Sequence, residues 1–129
     1  MFIFLVTFQS IPMNLDRVIK EISFPRLILG DINSKHASWG SDISDSRGAL
    51  INDWIIDNNL YILNDGTPTR YDKYNDKYSN IDISLIDIQQ SSKFLWNIKT
   101  ERAISDHLAN VFLGHNFFGH LSAPCVLRC

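Results

Sequence analysis

The chain has 129 residues, of which 45% are hydrophobic and 20% charged, the composition of one ordinary globular domain. Its formal net charge is −2 at pH 7, so any binding to nucleic acid must come from local patches of charge. The longest apolar run, residues 1–6, is far shorter than the roughly 18 residues that cross a bilayer. The sequence therefore predicts no membrane-spanning helix and no membrane partner.

Both cysteines, Cys125 and Cys129, lie close to the carboxyl terminus, and their spacing matches no zinc signature. The apolar residues at the amino terminus lack the basic segment and the cleavage site of a secretory signal. Both observations favour a reduced protein inside the cell, in the nucleus or the cytoplasm.

The first part of the chain alternates apolar strands with an amphipathic helix, which is typical of an α/β protein. Residues 2–8 are predicted to form a buried strand. Apolar residues at helical spacing follow, and this helix must end before Pro25. A second buried strand at residues 26–29 runs directly into the segment Gly-Asp-Ile-Asn at residues 30–33.

A second helix is predicted to begin at Asp45 or Ser46, because either side chain can accept a hydrogen bond from the first free amides of a helix. It ends before Asn58. Trp54 on this helix and Trp39 in the preceding loop are interpreted as packing residues rather than platforms for base stacking. The helix is expected to have one apolar stripe, formed by Leu50, Ile51, Trp54 and Ile55.

The second part of the chain is predicted to be rich in strands. A short strand at residues 61–63 leads through an Asn-Asp-Gly turn to residues 67–71, which are expected to re-enter the sheet. The polar segment 71–78 has the character of a hairpin tip. Apolar and polar residues alternate over residues 81–85, the period of a half-buried strand. Two further strands are predicted near residues 94–98 and 108–113.

Asp31 and Asn33 follow the second predicted strand at its carboxyl end. Because side chains alternate along a strand, Asp31 and Asn33 are predicted to lie on one face, with Ile32 in the core. A carboxylate can accept a proton from attacking water, and an amide can donate to a phosphate oxygen, so this pair suits hydrolysis. The alternative is that both residues merely open a loop.

His107 directly follows Asp106, just before the last predicted strand, and Asp82 lies in the preceding long strand. Nearby carboxylates favour the charged form of an imidazole. An imidazolium is a cation that can stabilise the negative charge of a pentavalent phosphorane. Taken singly, each residue is a weak signal, because a histidine more often lies on a surface or in a satisfied hydrogen bond and Asp82 is compatible with a position facing solvent.

Cations and aromatic rings are interleaved in the predicted hairpin tip. Lys73 and Lys77 alternate with tyrosines, a pattern that holds a DNA strand through phosphate contacts and stacking. Asp72 and Asp76 weaken this positive charge. A solvated polar tip is therefore the alternative interpretation.

Five groups of short motifs resemble, in their order and spacing, the endonuclease/exonuclease/phosphatase family, specifically the DNA-nicking endonuclease domain of non-LTR retrotransposons. The resemblance covers about residues 7–113. The motifs are Gly-Asp-Ile-Asn at 30–33, Trp-Gly-Ser at 39–41 with Asp-Ser-Arg-Gly at 45–48, Ile-Leu-Asn-Asp-Gly-Thr-Pro-Thr at 62–69, Ser-Asn-Ile-Asp at 79–82 and Ser-Asp-His at 105–107.

The resemblance implies a fold and a reaction. The fold is a four-layer α/β sandwich, and the reaction is magnesium-dependent cleavage of a DNA phosphodiester. Asp31 would act as the base or position the attacking water, and Asn33 would bind the scissile phosphate. Asp82 would orient and charge His107, which stabilises the transition state.

Further residues receive roles from the same resemblance. Asp106 would lie beside the metal site and is the one residue expected to bind Mg²⁺. Thr69 matches a family threonine near the substrate strand. It is grouped with Lys73 and Lys77 as substrate-binding, with DNA as the expected partner.

The sequence also departs from the family pattern. The family's domain begins with strands that carry an Asn and the magnesium-binding Glu, and this sequence has no counterpart of either. We therefore expect residues 1–113 to form a partial domain without nicking activity of its own, and residues 114–129 to form a divergent, unstructured tail. Sheet faces left uncovered are expected to cause self-association.

Two other functions fit the sequence. A phosphatase or an RNA nuclease of the same superfamily would share the fold and differ in substrate. A non-catalytic binding protein derived from a pseudogene would retain the motifs without the reaction.

Overall fold

The computed structural model describes residues 2–5, 15–22, 24–98 and 109–113, with only the backbone described for the first and last of these segments. Short 3₁₀ helices lie at Ala37–Trp39 and Ile88–Lys93. The regular elements of the described residues are β1 (Phe2–Leu5), α1 (Leu15–Glu21), β2 (Arg26–Asp31), α2 (Ser46–Asp57), β3 (Leu60–Ile62), β4 (Arg70–Asp72), β5 (Lys77–Ser79), β6 (Asp82–Asp87), β7 (Phe94–Ile98) and β8 (Ala109–Leu113).

A mixed sheet of four strands, in the order β1-β2-β6-β3, organises the described residues. β1 runs parallel to β2, whereas β6 is antiparallel to both β2 and β3. β2 and β6 therefore occupy the middle of the sheet. Two antiparallel pairs, β4-β5 and β7-β8, accompany it.

Apolar side chains cover the two inner strands on both faces. On one face Ile28, Ile83 and Leu85 pack with buried residues of α1 and α2, such as Ile19 and Ile51. On the other face the buried cluster consists of Leu27, Ile86 and Phe94, with Trp96 packed against it. The helices thus cover one side of the sheet, and β7 contributes to covering the other.

The beginning of α2 follows the sequence prediction, and so does its apolar stripe at Ile51, Trp54 and Ile55, but not at Leu50. Asp45 is the N-cap residue, and its carboxylate accepts the N–H of Gly48. Leu50 is 71% exposed, so its assignment to the buried stripe is wrong. The side of the helix that meets the core carries Gly48, Ile51 and Ile55. Leu50 lies about 100° around the helix from Ile51, outside that side.

Two strand predictions in the second part of the chain need correction. β4 pairs with β5 in a separate ribbon, so the segment 67–71 does not re-enter the main sheet. β6 is not half-buried: Ser84, expected on a solvent face, is buried because β6 lies between β2 and β3 and is covered on both faces. Neither the pairing partners nor the covering layers can be inferred from local alternation.

The strands predicted at residues 94–98 and 108–113 are confirmed as β7 and β8. The tail at 114–129 lies outside the described residues. No helix among the described residues is long and apolar enough to cross a membrane. Self-association stays a prediction, which sedimentation velocity tests.

Candidate active site

Two acidic residues are neighbours where β2 ends and β6 begins. Asp31 is the last residue of β2, Asp82 is the first of β6, and the antiparallel register pairs them directly. Directly paired residues project from the same face of a sheet, with Cβ atoms roughly 5 Å apart. Alternation along β2 places them on the face of Leu27, opposite the helices. Both acids are half-buried, so the pair lies within reach of solvent.

The chain turns immediately after Asp31. Ile32 is buried in the core as predicted, and its N–H donates to the carbonyl of Ile81 at 2.8 Å. Asn33 has a φ of 42°, in the left-handed region that asparagine tolerates better than most residues. Its N–H donates to Oδ1 of Asp31 at 3.0 Å. The prediction that one extended strand carries both Asp31 and Asn33 is therefore wrong, because the strand ends at Asp31 and a turn brings Asn33 next to it.

Two side chains hold the backbone of Asp82. Oγ1 of Thr69 accepts the N–H of Ile81 at 3.2 Å and the N–H of Asp82 at 3.0 Å. Nδ2 of Asn64 donates to the Asp82 carbonyl at 2.9 Å, and Oδ1 of Asn64 accepts the N–H of Ser84 at 2.9 Å. Thr69 is 0% exposed, which leaves it no surface with which to contact a DNA strand directly.

The loop after Asn33 is tied to the start of α2 by the carboxylate of Asp45. Oδ1 accepts the hydroxyl of Ser34 and the N–H of Gly48, both at 2.6 Å, and Oδ2 accepts the N–H of Lys35 at 2.9 Å. A Cβ at Gly48 would lie 1.9 Å from the carbonyl oxygen of Lys35, so only glycine permits this approach. The Ser34 hydrogen bond lowers the pKa of Asp45, assisted by the two amides and opposed by burial.

A second set of hydrogen bonds fixes the loop around Trp39. Trp39 is buried in the core, which confirms its interpretation as a packing residue, and its Nε1 donates to the carbonyl of Ser34 at 3.2 Å. Nδ2 of Asn80 donates to the carbonyls of Trp39 and Gly66 at 3.0 and 2.9 Å. Gly40 has a φ of 95°, and a Cβ there would lie 2.5 Å from Nδ2 of Asn80. Glycine is thus required at this motif position, because the backbone is left-handed and no room remains for a Cβ atom.

The ribbon of β4 and β5, here called the hairpin (residues 70–79), projects cations and tyrosines. The rings of Tyr71 and Tyr78 are 4.8 Å apart between centroids, and Nζ of Lys73 lies 5.2 Å from the ring centroid of Tyr74. Tyr74 is 87% exposed, and both Lys73 and Lys77 are exposed. The predicted hairpin tip is therefore confirmed in its position and in its accessible cations.

The acidic residues of the hairpin form hydrogen bonds within it. The carboxylate of Asp72 accepts the side-chain amide of Asn75 at 2.7 Å and the N–H of Tyr74 at 3.0 Å, and these bonds lower the pKa of Asp72. Asp76 accepts the hydroxyl of Tyr71 at 2.8 Å. Both acids thus shape the turn, although they also reduce the net positive charge of the hairpin.

Residues 6–111 match the model of the endonuclease-reverse transcriptase family. The chain belongs to this family. No curated protein gives a significant match. Among solved structures, the endonuclease domain of TRAS1, a telomere-specific non-LTR retrotransposon, matches with a TM-score of 0.68 and 25% sequence identity over 77% of this chain and 48% of that one. The chain thus spans about half the length of that solved structure.

These findings confirm the family and the fold predicted from the motifs. The helices, the mixed sheet and the strand on its second face correspond to part of an endonuclease domain of this kind. Of the predicted site residues, Asp31, Asn33 and Asp82 come together at one edge of the sheet. Asp106 and His107 lie outside the described residues, so their positions relative to this edge are not part of the described geometry.

Asn64 and Asn80 are not among the predicted site residues, although both belong to motifs that carry the resemblance. Each makes two hydrogen bonds from its side chain to backbone groups near Asp82 or Trp39. The sequence signal that could have found them is an asparagine that precedes or follows a turn at a fixed distance from a proposed catalytic residue. That signal indicates a loop without revealing which backbone the amide will contact.

The described residues do not by themselves form a magnesium site. Within residues 15–22 and 24–98, no group of three or more acidic, histidine or cysteine side chains is close enough to hold a metal ion. Asp31 and Asp82 supply two carboxylates, while Mg²⁺ takes six oxygen ligands, some of them waters or phosphate oxygens. Asp31 and Asp82 would therefore need further ligands to hold the ion.

Proposed function

We propose that the chain contributes catalytic residues to a DNA-nicking endonuclease of the kind found in non-LTR retrotransposons. The observation that supports this most directly is the pairing of Asp31 with Asp82 at one edge of the sheet, in a chain of the endonuclease-reverse transcriptase family. Two carboxylates so close together suit a centre that moves protons and positions water. An enzyme that nicks chromosomal DNA would act inside the cell.

In this proposal Asp31 accepts the proton of the attacking water or positions it, and Asn33 donates its side-chain amide to the scissile phosphate. The turn supports this division, because it keeps the backbone of Asn33 within hydrogen-bonding distance of the Asp31 carboxylate. Asp82 orients His107, whose imidazolium offsets the charge that develops on the phosphorane. Mg²⁺ is the proposed cofactor, with Asp106 as one of its ligands.

The hairpin is proposed to contact the DNA strand. Lys73 and Lys77 would neutralise phosphates, and the exposed ring of Tyr74 offers a stacking surface. Thr69 joins the hairpin to the site, because its N–H donates to the carbonyl of Ser79 at 3.0 Å while its hydroxyl accepts the Asp82 amide. DNA held by the hairpin would therefore pass close to Asp82.

The nicking activity is tested with supercoiled plasmid and Mg²⁺. We propose, as the resemblance to the family implies, that the isolated chain binds DNA without nicking it. We expect activity from a fusion to the part of the TRAS1 endonuclease domain that this chain does not match, and its loss on Asp31→Asn. A folded fusion that binds plasmid and leaves it supercoiled contradicts the endonuclease proposal. Nicking by the isolated chain contradicts only its inactivity.

The partnership of Asp82 with His107 has its own test in the same fusion. His107→Ala and Asp82→Asn should each lower kcat by orders of magnitude, and the double variant should be little worse than His107→Ala. Losses that multiply fully would mean that the two residues act independently.

The contribution of the hairpin is measured by DNA binding at several salt concentrations. Lys73→Ala and Lys77→Ala should each weaken binding and lower the salt dependence by about one counterion, whereas Lys20→Ala on α1 serves as the control. Unchanged binding in both hairpin variants contradicts the contact.

The substrate class is tested by comparing plasmid with RNA and with a phosphomonoester. Faster hydrolysis of the monoester or of RNA would favour a phosphatase or an RNA nuclease of the superfamily. DNA binding without hydrolysis of any substrate by the fusion would favour a non-catalytic binding protein.

A further inference from the structure

The first residues of β6 have a strand beside them on only one side. β2 pairs with β6 from Leu27 opposite Ile86 to Asp31 opposite Asp82. β3 pairs only as far as Ile62 opposite Leu85, and one further backbone bond follows, from the N–H of Leu63 to the carbonyl of Ser84 at 2.8 Å. On the β3 side, the backbone groups near Asp82 therefore need other partners.

Side chains from residues 64–69 provide those partners. Asn64 continues the ladder of β3 with its side-chain amide, which donates to the Asp82 carbonyl and accepts the Ser84 N–H, both at 2.9 Å. Thr69 accepts the N–H groups of Ile81 and Asp82 with one buried hydroxyl oxygen. The N–H and the carbonyl of Asp82 are thus both held by side chains from one short segment.

The segment 64–69 is itself anchored at several points. The N–H of Thr69 donates to the carbonyl of Ser79 at 3.0 Å, and the carbonyl of Gly66 accepts Nδ2 of Asn80 at 2.9 Å. Gly66 has a φ of 95°, which permits the turn, and the N–H of Thr67 donates to Asp65 at 2.9 Å. A segment anchored in this way can transmit its position to Asp82.

We propose that Asn64 and Thr69 are positioning residues that fix Asp82 relative to Asp31, an inference that rests on the proposed nuclease function of Asp82. Catalytic side chains must be held within about 0.5 Å of their productive geometry. A strand partner would hold the β6 backbone equally well, but it would extend β3 across the place where the chain must leave the sheet for the hairpin. Side-chain partners hold Asp82 and leave that path open.

The test uses nuclear magnetic resonance on the isolated chain. Thr69→Val removes the acceptor while preserving the shape, and Thr69→Ser restores the hydroxyl. We expect Thr69→Val to accelerate amide exchange at Ile81 and Asp82 about tenfold more than elsewhere in β6 and to shift the carboxyl carbon signal of Asp82. Thr69→Ser should return both towards the parent values.

The control is Ile86→Val, which weakens packing in the same strand without touching either partner of Asp82. It should raise exchange along β6 and leave the Asp82 carboxyl signal in place. An Asp82 signal unmoved by Thr69→Val, or moved equally by Ile86→Val, overturns the proposal. If Thr69→Val does not fold, Asn64→Ala decides: it should shift the same signal and accelerate exchange at Ser84, and no shift overturns the proposal.

The nicking fusion separates this inference from the proposed function. Thr69→Val should lower kcat about tenfold and leave the KM for DNA unchanged, with rescue by Thr69→Ser. If the variants move the Asp82 signal and the parent fusion does not nick, positioning stands and the nuclease function fails. If the fusion nicks and neither variant affects Asp82 or kcat, only the positioning inference fails.

Discussion

The ladder between β2 and β6 carries charged residues at both ends, and the two ends differ in kind. At the end where β2 begins, Arg26 and Asp87 are 6% and 2% exposed and form an ion pair, with 2.6 Å between Nη2 and Oδ1. At the end where β2 finishes, Asp31 and Asp82 have the same charge and are half-buried neighbours. Opposite charges are thus enclosed at one end, and like charges face solvent at the other.

This difference contrasts a structural use of charge with the chemical use proposed for Asp31 and Asp82. Asp87 also accepts the backbone N–H of Arg26, whose guanidinium donates to the carbonyl of Asn58 at 3.1 Å. The pair therefore joins β2, β6 and the end of α2, and its burial is compensated by hydrogen bonds. Two carboxylates directly opposite each other on neighbouring strands repel instead of stabilising each other.

The largest expected effect comes from breaking the enclosed pair. Asp87→Ala should lower the free energy of unfolding by about 3–5 kcal/mol, because it leaves the Arg26 guanidinium buried without its counter-ion. Urea unfolding followed by circular dichroism measures this. A loss below about 1 kcal/mol would mean that solvent reaches Arg26 and that this end of the ladder is not enclosed.

A double variant sharpens the same point. Arg26→Met with Asp87→Leu removes both charges, so its loss of stability should be smaller than the sum of the losses for Arg26→Met and Asp87→Leu by about 0.5–3 kcal/mol. Losses that simply add would show that each residue acts through separate contacts.

How much of this architecture the sequence predicts depends on the range of the interactions. The N-cap at Asp45 and the strand at β7 follow from local patterns and are confirmed. The Arg26–Asp87 pair joins residues 61 positions apart, and no local pattern selects that partner. The family motifs named Asp31 and Asp82 together, and the two are paired in the structure, because motif order reflects a whole domain rather than a local preference.

The remaining errors at the site have one physical origin. Alternation describes a strand correctly but does not say where the strand ends, and the turn at Asn33 begins one residue after β2 stops. Thr69 illustrates a related limit, since a hydroxyl buried beneath a turn and one presented to a ligand have the same sequence. Burial decides between them, and burial is a property of the packed chain.

A smaller effect is expected at Asp45, near the Asp31 end of the ladder, where a carboxylate has neutral partners. Its pKa is lowered on folding, chiefly by the Ser34 hydroxyl, so the unfolded chain binds the proton more readily. The stabilisation is complete above the ordinary value of 3.8 and is lost as the pH falls through the lower value of the folded chain. Solvent around the loop keeps it small, about 1 kcal/mol or less.

Asp45→Asn provides the matched comparison, because asparagine also caps helices and does not titrate. The stability difference between parent and variant should be constant from pH 7 to about pH 5 and should narrow in more acidic solution. A difference that persists unchanged to pH 2 would show that the carboxylate charge contributes nothing and that only the hydrogen-bond geometry matters.

The smallest effect on stability is expected at Asp31, where the effect on activity should be large. Asp31→Asn keeps the size of the side chain and an oxygen that can accept the N–H of Asn33, at a half-buried position, so the free energy of unfolding should change by less than about 1 kcal/mol. The same substitution at the enclosed end, Asp87→Asn, should cost several times more in the same urea titration, because the amide cannot replace the charge facing Arg26. If replacing Asp31 abolishes nicking by the fusion and leaves stability nearly unchanged, this residue serves the reaction rather than the fold. Equal losses of stability at Asp31 and Asp87 would instead make both ends of the ladder structural.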